Sequence, residues 1–256
     1  MALVSRRSAG GRPTGAVGQP WPVQRSDLDA LARALLVRLG ALPALPPELF
    51  GERGVQSDRE LLQHFCAAKA PSGRFDTPIR EGTDVREFEL RAPRWHVDRA
   101  AIGARMRAAQ EFQRVSVLVR QTARYPIAAL SDGLAFRNSL LAVFESPAWP
   151  AAALLALLNS ALIRWLHYMR FRDARQPILP QLKISHLRAI PAPPRAESAE
   201  RLRRLGVGRP WGELASTCSA RPELDALVYE LYELDAGERE RVSHWHAEWA
   251  PRPRAG

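Results

Sequence analysis

A chain of 256 residues with 46% apolar content can bury a core in one large domain or two small ones, and it reads as a soluble globular protein. Its two cysteines, Cys66 and Cys218, stand far apart without CxxC or Cys/His spacing, which argues against a disulfide framework or a zinc site and fits a reducing, cytoplasmic setting. The formal charge of +10 is segregated: residues 27–111 balance with 13 basic and 13 acidic groups, residues 112–196 carry 11 basic against 3 acidic, and residues 197–249 carry 7 against 11.

Residues 1–25 are rich in Gly, Pro, Ser and Arg, with neither periodicity nor an apolar run, so they read as a disordered arm and not as a signal peptide. Residues 26–75 read as a helical segment. Ser26 and Asp29 open a helix with Leu28, Leu31, Leu35 and Leu39 on one face, ending at Gly40. After the proline-broken run ALPALPPELF, Ser57 and Glu60 form a capping box ahead of Leu61, Leu62, Phe65 and Cys66. From Pro78 the pattern turns to strand. In PIREGTDVREFEL, Gly82 takes a turn position and Val85, Phe88 and Leu90 follow along a short extended run, with Arg80, Thr83, Asp84 and Arg86 around the glycine. Trp95 and Val97 extend the sheet, and residues 100–112 read as one helix whose buried stripe is Ile102, Met106, Ala109 and Phe112.

Residues 115–144, VSVLVRQTARYPIAALSDGLAFRNSLLAVF, carry the densest signal. Val115, Val117 and Val119 alternate with Ser116, Leu118 and Arg120, a period-two strand pattern, and Arg120, Gln121, Thr122 and Arg124 crowd its far end. Pro126 breaks the run, Ser131-Asp132-Gly133 is a turn signal, and residues 135–144 resume an apolar strand in which Arg137-Asn138-Ser139 is embedded. Hydrogen-bonding groups are thus massed at one end of a strand pair, as either a solvated rim or a recognition surface.

After Pro150, AAALLALLNSALIRWLHYMRFR reads as one helix of about twenty residues, packed on the sheet and too short in its apolar run to span a bilayer. Asn159 and Ser160 within it suit a helix–helix polar contact. Arg170, Arg172 and Arg175 then precede ILPQLKISHLRAIPAP, where Ile184, Leu187 and Ile190 pack and the prolines of residues 191–194 end the element. Residues 197–249 read as helical: Leu224, Leu227, Val228 and Leu231 share a face, and Asp235 with Glu238 caps a last helix carrying Val242, Trp245 and Trp249. His244 and His246, two apart on that helix, point to different faces and make a poor metal pair. Residues 250–256 form a tail. The fold class is α+β, a small mixed sheet packed with helices and followed by a helical C-terminal part.

The order PIREGTDVREFEL, RVSVLVRQTARYPIAAL with FRNSLLAVF, LLALLNSALIRWLHYM, QLKISHLRAIPAP and LDALVYELYELDAGERERV resembles the TaqI-like C-terminal specificity domain. That family supplies the target-recognition half of N6-adenine DNA methyltransferases and of related fused restriction–modification enzymes. The resemblance runs over residues 76–249, with residues 76–196 as the target-recognition domain. It implies double-stranded DNA as the ligand and a methyltransferase catalytic domain or subunit as the partner, with S-adenosylmethionine held there and no cofactor in this chain. The family's Asn/Asp-Pro-Pro-aromatic motif has no counterpart: Pro46-Pro47 follows Leu45, Pro193-Pro194 follows Ala192, and neither pair precedes an aromatic residue. No strand-Gly-x-Gly-helix unit is legible either, so no catalytic residue and no metal site is expected here.

Under this resemblance the basic excess of residues 112–196 is a phosphate-neutralising face. Arg114, Arg164, Arg170, Arg172, Arg175 and Lys183 are candidates for phosphate contacts, which position a duplex without reading it. Arg120, Gln121, Thr122, Arg124 and Asn138 are candidates for base edges, joined by Arg80, Thr83 and Arg86 from the neighbouring loop, because Arg suits guanine and Asn or Gln suits adenine. A protein-interaction module of a defence system, and a non-functional remnant of a methyltransferase gene, stay open as alternatives. An enzyme with an unrecognised site, such as a metal-dependent nuclease, is disfavoured by the scattered carboxylates of residues 112–196.

Overall fold

The computed structural model describes residues 29–52, 54–56, 61–66, 73–205 and 220–249; the N-terminal arm, the tail and the capping box at Ser57 and Glu60 lie outside these residues. In chain order the elements are α1 (Ala30–Gly40), β1 (Phe50–Gly51), β2 (Phe65–Cys66), β3 (Thr77–Ile79), β4 (Trp95–Val97), α2 (Arg99–Ile102), α3 (Ala109–Gln113), β5 (Val117–Arg120), β6 (Ala128–Leu130) and β7 (Leu140–Val143). They continue with α4 (Ala151–Asn159), α5 (Ala161–Arg170), α6 (Ile184–Leu187), α7 (Ser198–Leu205), α8 (Ala220–Leu231) and α9 (Ala236–Trp249). The class is α+β.

The larger sheet is antiparallel, in the order β1-β7-β5-β6, and the smaller is β2-β4-β3. β5 is central, pairing Val119 with Ala128 on one side and with Leu141 on the other. The hairpin read from residues 115–144 is therefore a three-stranded unit. Its alternation has a different meaning from a half-buried strand, because both faces are covered. Val117, Val119, Leu141 and Val143 pack into the core formed with α1, α4, α5, α8 and α9. Leu118, Leu140, Ala142 and Ala129 pack into a second core with Ile79, Val97, Phe112 and Phe136. Polar groups are consequently forced to the strand ends.

Four expected elements are broken or shortened where backbone chemistry outweighs periodicity. Residues 100–112 are not one helix: Gly103, with φ +52°, ends α2 and the chain restarts at α3, although Ile102, Met106 and Phe112 are buried as the stripe required and Ala109 is exposed. Val85 and Leu90 do not run on as a strand but bridge each other across a tight loop, with Phe88 at φ +60°. The long helix after Pro150 is two helices bent by 61°, because Ser160 is extended (ψ 151°) and accepts the N–H of Ile163 as the cap of α5. The strand expected from residue 135 begins only at Leu140: Phe136 and Arg137 make isolated bridges to Arg80 and Val55, and Asn138 and Ser139 form the turn before it.

Local signals at the helix ends hold elsewhere. Asp29 caps α1 by accepting from Ala32 N–H at 2.7 Å. Asp235 and Glu238 form a reciprocal box, Glu238 N–H to Asp235 at 2.8 Å and Asp235 N–H to Glu238 at 3.1 Å. The first and last helices meet: Arg38 of α1 pairs with Glu238 and donates to the Tyr232 carbonyl at 3.1 Å. The segment before β1 lies against residues 190–192 through Leu45 N–H to Ile190 O at 2.8 Å and Ala192 N–H to Pro43 O at 2.7 Å. No single helix among the described residues is long and apolar enough to cross a membrane.

Candidate nucleic-acid interface

The polar residues of the loop after β3 and those at the end of β5 and the start of β7 come together. Gly82 N–H donates to Ser139 Oγ at 2.9 Å, and Gln121 N–H donates to Ser139 O at 3.0 Å, so Ser139 joins the loop after β3 to the end of β5. Around it stand exposed Thr83, Arg86 and Asn138 and half-buried Arg120, Gln121 and Arg137. Burial, and then the adjacent Arg86 charge, pushes the Arg120 guanidinium down from its usual value, with Glu81 acting in the opposite sense. Two arginines of the same loop cluster therefore face each other with their charge only partly offset, which favours an anionic or acceptor-rich ligand.

The loop is held in shape by its own charges. Thr83 and Arg94 donate to Glu81 Oε1 at 2.6 and 3.0 Å, and Arg137 reaches Glu81 Oε2 at 3.3 Å. Burial raises the Glu81 carboxyl, but these hydrogen bonds and the Arg137 charge outweigh it and hold the group below its usual range. Arg137 also lies over the rings of Phe65 and Trp95, at 5.2 and 5.6 Å from their centroids. The Arg137–Asn138 turn is clamped from both sides: Val55 N–H to Phe136 O at 2.7 Å and Asn138 N–H to Val55 O at 3.0 Å on one, Arg137 N–H to Arg80 O at 2.9 Å on the other.

The remaining arginines separate by burial. Arg80 is 6% exposed, its guanidinium turned inward onto Asp132 and the Arg91 carbonyl. Arg164 is 1% exposed, bonded to Glu87 at 2.9 Å and Asn159 Oδ1 at 3.2 Å and stacked on Tyr125; burial lowers it to about 10, so it stays cationic at neutral pH. Glu87 also pairs with Arg221 of α8, which donates to Asn159 O at 3.0 Å, while Asp225 accepts Ala161 N–H at 2.7 Å. This group of two acids and two arginines, with Arg164 buried and the other three half-buried, fastens the α4–α5 bend to the C-terminal helices. Arg170 donates to Ala189 O at 2.8 Å, and Arg175 to the Tyr168 and Met169 carbonyls that end α5. Arg114, Arg124, Arg172 and Lys183 are exposed; Arg114 lies at the opposite end of β5 from Arg120, and Lys183 pairs with Asp173 at 2.9 Å.

Gln121 continues the surface toward α6, since its carbonyl accepts Leu182 N–H at 2.7 Å. Next to it, His167 Nδ1–H donates to the Arg124 carbonyl at 3.0 Å, His167 Nε2 is 3.2 Å from His186 Nδ1, and Phe171 stacks on His186 at 3.9 Å. Half-buried Thr122 lies on the same segment between Gln121 and Arg124. Sequence reasoning did not single out Glu81, Arg94 or Arg137. Arg137 adjoins Asn138 and was within reach of the same argument, whereas Glu81 and Arg94 acquire meaning only through pairing across the loop. Among the described residues, no group of three or more His, Cys, Asp or Glu is placed to hold a metal ion.

Fold and site together define an α+β protein with a polar, arginine-rich face at one end of a doubly covered antiparallel sheet. Residues 77–192 match the family model of the TaqI-like C-terminal specificity domain. The match spans β3 to the segment after α6 and takes in the whole Ser139-centred cluster, while α1, α7, α8 and α9 lie outside it. No curated protein matches the chain.

Proposed function

We propose that the protein recognises double-stranded DNA sequence-specifically, as the specificity portion of an N6-adenine DNA methyltransferase or restriction–modification system. The observation that carries this reading is the convergence of Thr83, Arg86, Arg120, Gln121 and Asn138 around Ser139, inside the segment that matches the specificity-domain family. Arg86, Arg120, Gln121 and Asn138 read base edges, with Thr83, Thr122 and Arg124 at the margins of the same surface. Exposed Arg114, Arg172 and Lys183 contact phosphates. Arg80, Arg164, Arg170 and Arg175 act from within, holding the loops that present the readers. Methyl transfer and S-adenosylmethionine belong to a catalytic domain or subunit that works with this one. Extruding an adenine costs a few kcal/mol, and contacts made by the specificity domain offset that cost.

Selection of duplexes from a randomised pool by the full chain, followed by titration at 50–200 mM salt (roughly the range over which phosphate contacts weaken), tests the reading. Arg120→Ala is expected to relax preference at one position by about 1–3 kcal/mol, and Arg172→Ala to weaken all sequences alike and lower the salt slope by about 1. Identical effects of the two changes on selected and random duplexes would remove the division of roles. Binding indifferent to salt would favour a protein partner instead.

A further inference from the structure

Between the end of α5 and α6 the chain makes a protruding loop, Gln176-Pro177-Ile178-Leu179-Pro180-Gln181, that presents the two most exposed large apolar side chains of its segment. Ile178 is 86% exposed and Leu179 58%. Singly exposed apolar residues are ordinary, but these are adjacent, flanked by prolines, and fixed at the base. The Asp173 carbonyl accepts both Gln176 N–H at 3.5 Å and Gln181 N–H at 3.0 Å, which closes the loop on a single atom. Leu182 N–H then ties the exit to Gln121 O, and Asp173 itself is held by Lys183. The loop is a braced projection whose ordering cost is already met in the free protein.

Its surroundings are cationic. Arg172 and Lys183 stand exposed on either side, exposed Arg124 follows Gln121, and Asp173 is the single acid of residues 146–196. Leu179 is three residues from Leu182, so it lies within about 11 Å of the contact with Gln121, on the order of three base steps from the bases that Gln121 and Asn138 would meet. An apolar tip whose chain flanks carry exposed arginine and lysine suits a polyanion whose interior is apolar, which describes stacked base pairs behind phosphates.

We propose that Ile178 and Leu179 form a wedge that enters the duplex between base pairs beside the recognised sequence, with Arg172 and Lys183 on the flanking phosphates. The proposal rests on the DNA-recognition reading above and adds a deformation of the DNA to it. Insertion partly unstacks one step and bends the duplex toward the readers. It makes binding sensitive to the flexibility of a step that no polar side chain touches, so pyrimidine–purine steps there bind best.

The test uses the full chain and the duplex it selects from a randomised pool, with 2-aminopurine placed in turn at each position. The wild-type protein raises the fluorescence several-fold at one step, and the Ile178→Ser/Leu179→Ser double variant abolishes that signal. The variant also binds about tenfold more weakly with an unchanged salt slope, because phosphate contacts remain. Both positions are exposed, so the variant's melting temperature stays that of the wild type. Retention of the fluorescence change and affinity by the variant overturns the wedge and leaves sequence recognition standing. Failure of the wild-type chain to select any duplex overturns both. A variant that binds DNA normally but loses self-association in sedimentation makes the loop a protein interface, which also overturns the wedge.

Discussion

The guanidinium of Arg164 lies against Glu87, Asn159 and the Tyr125 ring, whereas that of Arg172, eight residues later, stands in solvent. In an arginine-rich segment the two look alike, and only their surroundings separate a residue that holds the platform from one free to meet a phosphate. A comparable dependence on surroundings falls on Gly54. A Cβ there would come 2.5 Å from the Arg137 carbonyl oxygen and 2.6 Å from Asn138 N, so the residue must lack one for the chain to lie against the turn that presents Asn138. Gly54→Val is expected to cost about 1–3 kcal/mol by forcing this packing apart. Under the proposed function it is also expected to shift base preference at the position assigned to Asn138. Thermal melting and duplex selection measure the two effects, and a variant unchanged in both would deny Gly54 this positioning role.

At the scale of elements, the break between α4 and α5 shapes the edge of the sheet. Asn159 accepts Ala128 N–H at 3.1 Å and donates to Ala128 O at 3.0 Å, serving β6 as a neighbouring strand would and closing an otherwise open edge. Its Nδ2 also reaches Leu155 O at 3.2 Å. Asn159→Leu keeps the branched shape of the side chain but leaves a buried backbone N–H without a partner and takes one acceptor from Arg164. The expected loss is about 2–4 kcal/mol, read as a lower urea midpoint with an unchanged slope. An unaltered midpoint would show that the edge is closed by packing alone. The sequence reading placed Asn159 and Ser160 inside one helix as a polar contact. The polar contact exists, but it is made to a strand, and Ser160 divides the helix because its side chain caps the second half better than it serves the middle of one.

At the scale of the whole molecule, the larger of the two cores runs from Ala32 in α1 to Trp245 in α9, beyond both ends of the family match. Three histidines, His167 and His186 buried and His246 half-buried, give this assembly an acid limit. Burial lowers His167 to about 3, with the neighbouring His186 adding to the effect. Burial likewise lowers His186 to about 4 despite Asp173, and His246 to about 3 beside Arg221 and Arg164. Each stays neutral in the folded protein, while its unfolded counterpart takes up a proton below about pH 6.5. The unfolded state then binds more protons, so their contribution to stability is full above about pH 6.5 and is lost as pH falls toward 4. Asp84 and Asp225, raised by burial, act in the opposite sense at lower pH. The melting temperature is expected to hold between about pH 7 and 8 and fall steadily below 6.5, less steeply in His246→Gln. A flat profile down to pH 5 would mean that these rings are not held neutral.

Helix caps at Asp29 and Asp235, the buried stripe of α8, the α+β class and the specificity-domain resemblance were all legible in the chain, because they rest on spacings of a few residues or on the order of segments; of the stripe read for α1, Leu35 and Leu39 are buried but Leu31 is exposed, and Ala32 and Leu36 complete the buried face. Where Arg80 and Arg164 point was not legible, nor that Ser139 gathers Gly82 and Gln121. Those outcomes join residues dozens of positions apart, as Arg80 and Asp132 are, and follow from which side of a doubly covered sheet each loop emerges. Composition concentrated the positive charge in residues 112–196; burial then assigned some of it to the interior and left the rest facing outward.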